Sequence, residues 1–279
     1  MPFYDLFALD MQRVLNDEIV GVFDTLAAVP LTPANIGILG EHEAQNAQAT
    51  KGLYILHYQN VPVYVGKAED SIRSRLDDHR VKLASRLNMN VGDVGFRCLY
   101  LDKNWSALTH EKPLIERFAY QWNATGFGNH DPGRNRDRTE LKPAHFDRLY
   151  PIDVNLPLTF APGSRSVATG IQEVKQQLPF LFRYVTKKGF KPNRSHPEYH
   201  AQPVVFAANE TVKTAIGKIV DALGDAWQAS FLYGYVILYR EHHDYPHASA
   251  FSFKRGGQPW VTPAIEEDEG AAEDGEDAE

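Results

Sequence analysis

Two apolar and aromatic runs, Gly52-Leu-Tyr-Ile-Leu-His-Tyr58 and Val61-Pro-Val-Tyr-Val-Gly66, are separated by Gln59-Asn60 alone. Each is too short for a typical helix. A two-residue polar break between such runs is a hairpin signal. Antiparallel strands are therefore expected on either side of residue 60, with a third at Gly95-Phe-Arg-Cys-Leu-Tyr-Leu101. Helical spacing predicts a charged amphipathic helix over residues 71–87 and a second over 105–122. The resulting fold class is α+β: a small mixed β-sheet flanked by helices.

The rest of the chain divides by texture. Residues 1–50 read as an N-terminal helical arm (Leu6, Met11, Val14 and Leu15 near helical spacing), followed over 29–49, where Pro30 and Pro33 fall, by a connector with short helical turns. The core segment is 51–150. Pro151, Pro157 and Pro162 mark a boundary, after which 151–264 reads as a C-terminal α+β extension that binds DNA or a partner. Helices are expected there over 167–178 and 211–223, with strands over 204–208 and 231–239. Residues 265–279 hold nine acids and no base, which predicts a disordered acidic tail. That tail masks the charge of the body. The whole chain carries −7, yet 1–264 hold 27 acids against 29 bases, and 51–150 hold 12 against 16. A nucleic-acid partner is thus compatible with the body. No apolar run approaches the ~18 residues of a membrane helix. The start lacks a basic-then-apolar leader, and the single Cys98 excludes an intramolecular disulfide framework. A cytoplasmic protein is expected.

The two helices of the core segment place polar groups where apolar ones belong. On the first, Ile72, Leu76, Leu83 and Leu87 form an apolar stripe. Arg75 and His79, four apart, flank or enter it. A snorkelling Arg and a half-buried His are the ordinary reading, and a cation–imidazole pair facing the sheet is the functional one. On the second, Glu111 precedes Leu114, Ile115, Phe118 and Trp122 at 3, 4, 7 and 11 residues, on the face expected to be buried. Glu116 is turned about 140° toward solvent. A buried carboxylate needs a cation or a proton, and a hard divalent ion such as Mg²⁺ suits carboxylate oxygen. Asn123 follows at the helix end, where it could be a simple cap. A Gly-rich loop, Gly126-Phe-Gly-Asn-His-Asp-Pro-Gly-Arg-Asn-Arg136, comes next. His196, His200, His242, His243 and His247 invite a zinc reading, but Pro197 interrupts the first pair, and loop histidines without a structural metal are expected.

The ordered set Gly52-Leu-Tyr54, Tyr64-Val-Gly66, Arg75-x3-His79, Glu111-x2-Leu114-Ile115 and Asn123 resembles the GIY-YIG nuclease superfamily. Val63-Tyr-Val-Gly-Lys-Ala68, the Arg-x3-His helix, and Gln121-Trp-Asn123 followed by Gly126-Phe-Gly-Asn-His-Asp-Pro-Gly133 are similar to the Eco29kI branch of type II restriction endonucleases. The resemblance runs from Gly52 to Arg136. Leu53 and Val65 replace isoleucines of the family pattern, Tyr120 stands where many members carry Pro, and the residues after 151 have no counterpart.

What the resemblance implies is Mg²⁺-dependent phosphodiester hydrolysis, with Mn²⁺ as a substitute metal. Tyr54 would be the base, aided by the metal or by Lys67, which could equally contact phosphate. Glu111 would hold the metal, and Arg75 would stabilise charge on the phosphate. His79 would share proton transfer or orient the phosphate, Tyr64 would hydrogen-bond nucleophile or phosphate, and Asn123 would fix the geometry. Asn129, His130, Arg134 and Arg136 are the candidates for DNA contact, in a basic run with Arg138 and Lys142 whose ordinary ion-pair partners would be Asp137 and Glu140. A second basic set is Lys187, Lys188, Lys191 and Arg194. Expected partners are double-stranded DNA, a second copy of the chain on a palindromic site and a cognate DNA methyltransferase encoded alongside it. The rival readings are a GIY-YIG subunit of a multisubunit defence, repair or mobile-element system that binds a partner protein through its C-terminal domain, and a DNA-binding protein with a degenerate site.

Overall fold

A computed structural model describes residues 10–102, 111–128, 137–138, 140–185, 196–243, 245, 249–253 and 259–260. The described chain groups into two compact units. The first is Met1–Asp131 with Lys142–Asp153, and the second is Pro132–Leu141 with Val154–Glu279.

The first unit opens with helix α1 (Met11–Thr25), capped by Asp10, whose carboxylate accepts from Arg13 N. Strand β1 (Val29–Pro30) and helix α2 (Pro33–Gln45) follow. The connector expected over 29–49 is thus largely a helix. Thr32 caps it and Pro33 sits in its first turn, where proline starts a helix rather than ending one. Strands β2 (Gly52–Tyr58) and β3 (Val61–Ala68) make the hairpin. Gln59 and Asn60 have φ of 51° and 65°, which is the two-residue turn that matches strand twist. Helix α3 (Ile72–Ala84) is capped by Ser71, and strand β4 (Val94–Tyr100) returns along β2. The sheet order is β1-β4-β2-β3, antiparallel at every pairing rather than mixed.

Pleat alternation gives this sheet two faces. Tyr54 and Leu56 of β2 and Tyr64 and Ala68 of β3 pack on Ile72, Leu76 and Leu83 of α3. Leu53, Ile55 and Val65 pack on Ile19 and Phe23 of α1. Leu87, expected to extend the α3 stripe, lies beyond the helix end and is exposed.

The second expected helix is broken. Helix α4 (Glu111–Phe118) stops at Ala119, whose φ is 48°, and a short helix α5 (Gln121–Ala124) restarts after Tyr120. Tyr120 has φ −67° and ψ 144°, a conformation that proline also adopts. The residue differs from the family pattern while the backbone does not require the difference. The break has a purpose in packing. Leu114 lies in the cluster of the α1 face, and Trp122 in the cluster of the α3 face. The chain therefore turns around the free edge of β3 between residues 118 and 122. Helix α6 (Phe146–Leu149) closes the unit, held by an ion pair of buried Arg86 to Asp147 at 2.9 Å.

The second unit contains β5 (Pro157–Thr159), β6 (Gly163–Ser166), α7 (Val167–Gln177), β7 (Phe182–Tyr184), α8 (Pro197–Ala201), β8 (Pro203–Phe206), β9 (Asn209–Thr211), α9 (Val212–Leu223), β10 (Gln228–Leu232), β11 (Val236–Tyr239), β12 (Ser249–Phe253) and β13 (Pro259–Trp260). The strand expected over 231–239 is a hairpin, β10 with β11, because a turn interrupts the apolar run. The five-stranded sheet runs β13-β12-β10-β11-β7, with β7 parallel to β11. Asp137 is buried in this unit. It pairs with Arg183 and accepts hydrogen bonds of 2.7 Å from both Tyr235 and Tyr239. Asp137 is therefore not a surface partner of the basic run that precedes it, and Arg138 pairs with Glu241 at 3.6 Å. Among the described residues, no helix is long and apolar enough to cross a membrane.

Candidate active site

The two small triplets differ from an ordinary aromatic hairpin in the packing of their glycines. Tyr54 pairs across the ladder with Gly66. A Cβ at Gly66 would stand 2.4 Å from Tyr54 Oη and 2.8 Å from Tyr64 Cε1. A Cβ at Gly52 would meet Leu99 O at 2.1 Å and Ile72 Cδ1 at 2.8 Å. Both glycines are thus required by close approach: one lets the tyrosine rings lie along the sheet, and the other lets α3 settle on it.

Helix α3 brings His79 to these rings. Tyr54 Oη and His79 Nε2 are 2.8 Å apart in a buried hydrogen bond. The His79 ring centroid is 5.5 Å from that of Tyr54 and 5.6 Å from that of Tyr64. Burial, first, and then the charges of Arg75 and Lys82 hold His79 well below its usual pKa of 6.5. The imidazole is therefore neutral at neutral pH. Burial opposes the charge of Arg75, but a hydrogen bond to Tyr54 and attraction to Tyr54, Tyr64 and Asp78 outweigh it and raise the guanidinium pKa. A guanidinium can only donate, and a phenol has one proton. The Tyr54 oxygen thus accepts from Arg75 and shares a second hydrogen with His79 Nε2, the imidazole tautomer setting which of those two atoms donates. In the unfolded chain the imidazole takes a proton near pH 6.5, whereas the folded chain resists it. The first unit should lose stability as pH falls below 6.5, until the folded imidazole also titrates. His79→Gln should flatten that slope in denaturant titrations taken from pH 7 to pH 5.

Asn123 has a different task from a helix cap. Its Oδ1 accepts from Val65 N at 2.9 Å and its Nδ2 donates to Val65 O at 2.8 Å. β3 is an edge strand, so both Val65 groups would otherwise lack a ladder partner. One amide completes the ladder between Tyr64 and Gly66. Asn123→Ala should destabilise the unit by about 1–3 kcal/mol, since it leaves two backbone groups unpaired. Asn123→Asp should lose the Val65 O bond alone, and chemical denaturation of both variants distinguishes the two losses.

The other expected residues are placed less closely. Lys67 pairs across the strands with Leu53, on the face opposite Tyr54. Its ammonium meets Glu69 at 3.0 Å. Glu111 opens α4, and its side chain lies outside the described residues. Among the described residues no three His, Cys, Asp or Glu side chains converge. A carboxylate is the kind of ligand that suits a hard divalent cation, which keeps several of its waters. Asn129, His130, Arg134, Arg136, Lys187, Lys188, Lys191 and Arg194 lie outside the described residues.

Sequence spacing left two contributors unnamed. Phe127 is buried, stacks on His79 at 4.9 Å and meets Tyr64 edge-on at 5.0 Å. Lys82 Nζ donates to Phe127 O at 2.6 Å. Lys82 lies three residues beyond His79 and seven beyond Arg75, a signal for the same helix face that its charge concealed.

A family model described as the Eco29kI GIY-YIG domain matches residues 45–153. No curated protein matches the chain. The matched segment carries the hairpin, α3, the broken α4–α5 helix and the Asn123 clamp. Residues 45–153 are therefore a GIY-YIG nuclease domain of the Eco29kI family, in an α+β fold built on a small antiparallel sheet.

Proposed function

We propose that this chain is a Mg²⁺-dependent endonuclease of restriction type that cuts double-stranded DNA at a specific sequence. The observation that carries the reading is the buried 2.8 Å bond between Tyr54 Oη and His79 Nε2, with Arg75 on the same phenol. In the proposed relay the neutral imidazole presents an unprotonated Nε2 to the Tyr54 hydroxyl, and the phenol can then take one proton while giving another. Water gives a proton to the Tyr54 oxygen, and the Tyr54 proton passes to Nε2. The water oxygen bonds to phosphorus as the bond to the leaving oxygen breaks, and that oxygen departs with the bonding pair and takes a proton from solvent. Arg75 stabilises the charge on the non-bridging oxygens. Tyr64 orients the nucleophile or the phosphate, and Asn123 holds the strand that carries Tyr64. Glu111 would hold the Mg²⁺ ion, which supplies charge neutralisation at the phosphate. Lys67, on the opposite face of the hairpin and paired with Glu69, is left out of the relay.

The charges around His79 give the relay a condition. Arg75 and Lys82 both disfavour an imidazolium. A bound phosphodiester offsets those charges and so raises the basicity of Nε2 when substrate is present. Tyr54 and Tyr64 are buried, so packing shields the relay from bulk water.

Asn129, His130, Arg134 and Arg136 are the proposed DNA contacts, Arg forks being suited to phosphate and guanine edges. Cutting both strands of a palindrome calls for two copies of the chain, and a matching methyltransferase would protect the host. The test is incubation of the full chain with unmethylated plasmid and phage DNA, in Mg²⁺ or EDTA, beside Glu111→Ala. Discrete Mg²⁺-dependent bands absent in the variant are expected. A smear equal in both proteins would contradict the reading. The family match ends at residue 153, where the second unit resumes at Val154. That coincidence favours one rival, a nuclease subunit that uses its second unit to bind a partner protein. Cleavage that depends on a second protein would establish it.

A further inference from the structure

We infer that Lys82 is a positioning residue, fastening the Gly126–Gly128 turn onto His79 and Tyr64 so that the imidazole is held toward the Tyr54 oxygen. The inference rests on the relay proposed above and adds a residue to it.

The geometry is a three-point clamp. Lys82 Nζ donates to Phe127 O at 2.6 Å and stands 4.5 Å from the centre of the Phe127 ring. That ring lies nearly parallel to His79, with 28° between planes and 4.9 Å between centroids. Its edge meets Tyr64 at 5.0 Å, and Phe127 N donates to Trp122 O at 3.2 Å. Gly128 completes the contact, since a Cβ there would stand 2.5 Å from Tyr64 Oη. The turn therefore touches both the imidazole and the second phenol, and a bond from α3 holds its middle carbonyl. A buried stacking surface restricts rotation of His79 about its ring axis. An ammonium on a backbone carbonyl is a charge-assisted bond, stronger than a neutral one.

The ammonium acts on His79 in a second way, through its charge. The titratable and charged groups facing His79 among the described residues are Tyr54 from β2, Tyr64 from β3, and Arg75 and Lys82 from α3. Removing Lys82 removes one of the two cations that oppose protonation of the ring. A purely structural lysine would alter stability and leave the titration of His79 where it was.

The test compares Lys82→Met, Lys82→Arg and wild type as full chains. Single-turnover DNA cleavage is followed against pH, and the His79 imidazole is followed by NMR titration. Lys82→Met should lower the single-turnover rate by about 10²-fold, the scale of a ~1 Å misplacement of a reacting group. DNA affinity should change much less, and the acid limb should move to higher pH. The His79 titration should move the same way. Lys82→Arg, which keeps the charge and a donor, should restore the limb. Phe127→Leu keeps the apolar fill and removes the flat stack; it should reproduce the rate loss if Lys82→Met does not fold. A wild-type rate and an unmoved His79 titration in Lys82→Met, or the same loss in Lys82→Arg as in Lys82→Met, would overturn the inference. If the wild-type chain cuts no DNA, the relay reading fails, and the NMR titration still decides the position of His79.

Discussion

Tyr54→Phe should lower single-turnover DNA cleavage by about 10²–10⁴-fold, the usual contribution of a positioned proton-transfer group. The substitution removes one oxygen from a ring that is otherwise fully packed, so the ring should stay in place between Gly66, Tyr64 and His79. What disappears is the acceptor for Arg75 and the hydrogen-bond partner of His79 Nε2. A buried polar group left without its partner costs about 1–3 kcal/mol. The variant should therefore fold, with a measurable loss of stability, and bind DNA with near wild-type affinity. A large rate loss with retained binding separates a role in chemistry from a role in packing. Titration with fluorescent DNA and a quenched-flow cleavage course supply both numbers.

The second large effect belongs to the other unit. Asp137→Ala should destabilise it by about 3–5 kcal/mol, the scale for breaking a buried ion pair by removing one partner. Asp137 is 1% exposed, and its two oxygens serve Arg183, Tyr235 and Tyr239. Without the carboxylate, the Arg183 charge loses the partner that offsets its burial, and two phenols lose their acceptor. Burial and the hydrogen bond to Asp137 push the Tyr239 phenol well above its usual range, so it cannot supply an anion in place of the carboxylate at neutral pH. Removing both charges together, as Asp137→Leu with Arg183→Met, should cost less than Asp137→Ala alone. Thermal unfolding of the two variants beside wild type measures the difference. Equal losses would mean that the ion pair contributes nothing beyond its volume.

How far the sequence reveals this architecture varies with the kind of signal. The hairpin is legible because Gln59-Asn60 is a turn and the flanking runs have strand composition. Helix α3 is legible because Ser71 caps it and its apolar residues recur at helical spacing. The α4–α5 break is not legible. Ala119 is a good helix former, and only packing on both sides of the β3 edge forces it into a left-handed conformation. The same break moves Asn123 from a supposed helix end to the strand edge, so its clamp on Val65 could not be read from spacing along a continuous helix. Helix α2 was obscured by Pro33, which starts a helix as readily as it ends one. The β10–β11 turn was obscured because Tyr233-Gly-Tyr235 sits inside an apolar run.

Within the site, Tyr54, Tyr64, Arg75 and His79 are legible from spacing, and the structure brings the four together. Lys67 was not separable from them, because proximity in sequence to Tyr64 hides the pleat that turns it to the other face. Lys82 was hidden for the opposite reason. A lysine on an amphipathic helix is ordinarily solvated, and only the Phe127 carbonyl identifies its task.

The measurement that bears most directly on the nuclease reading is a double-mutant cycle in single-turnover cleavage with Mg²⁺, using Tyr54→Phe, His79→Asn and the double variant. Two groups that pass one proton act as a unit, so either single change should cost nearly as much as both. Losses that simply add, or a double variant that cuts as fast as wild type, would contradict a Tyr54–His79 relay.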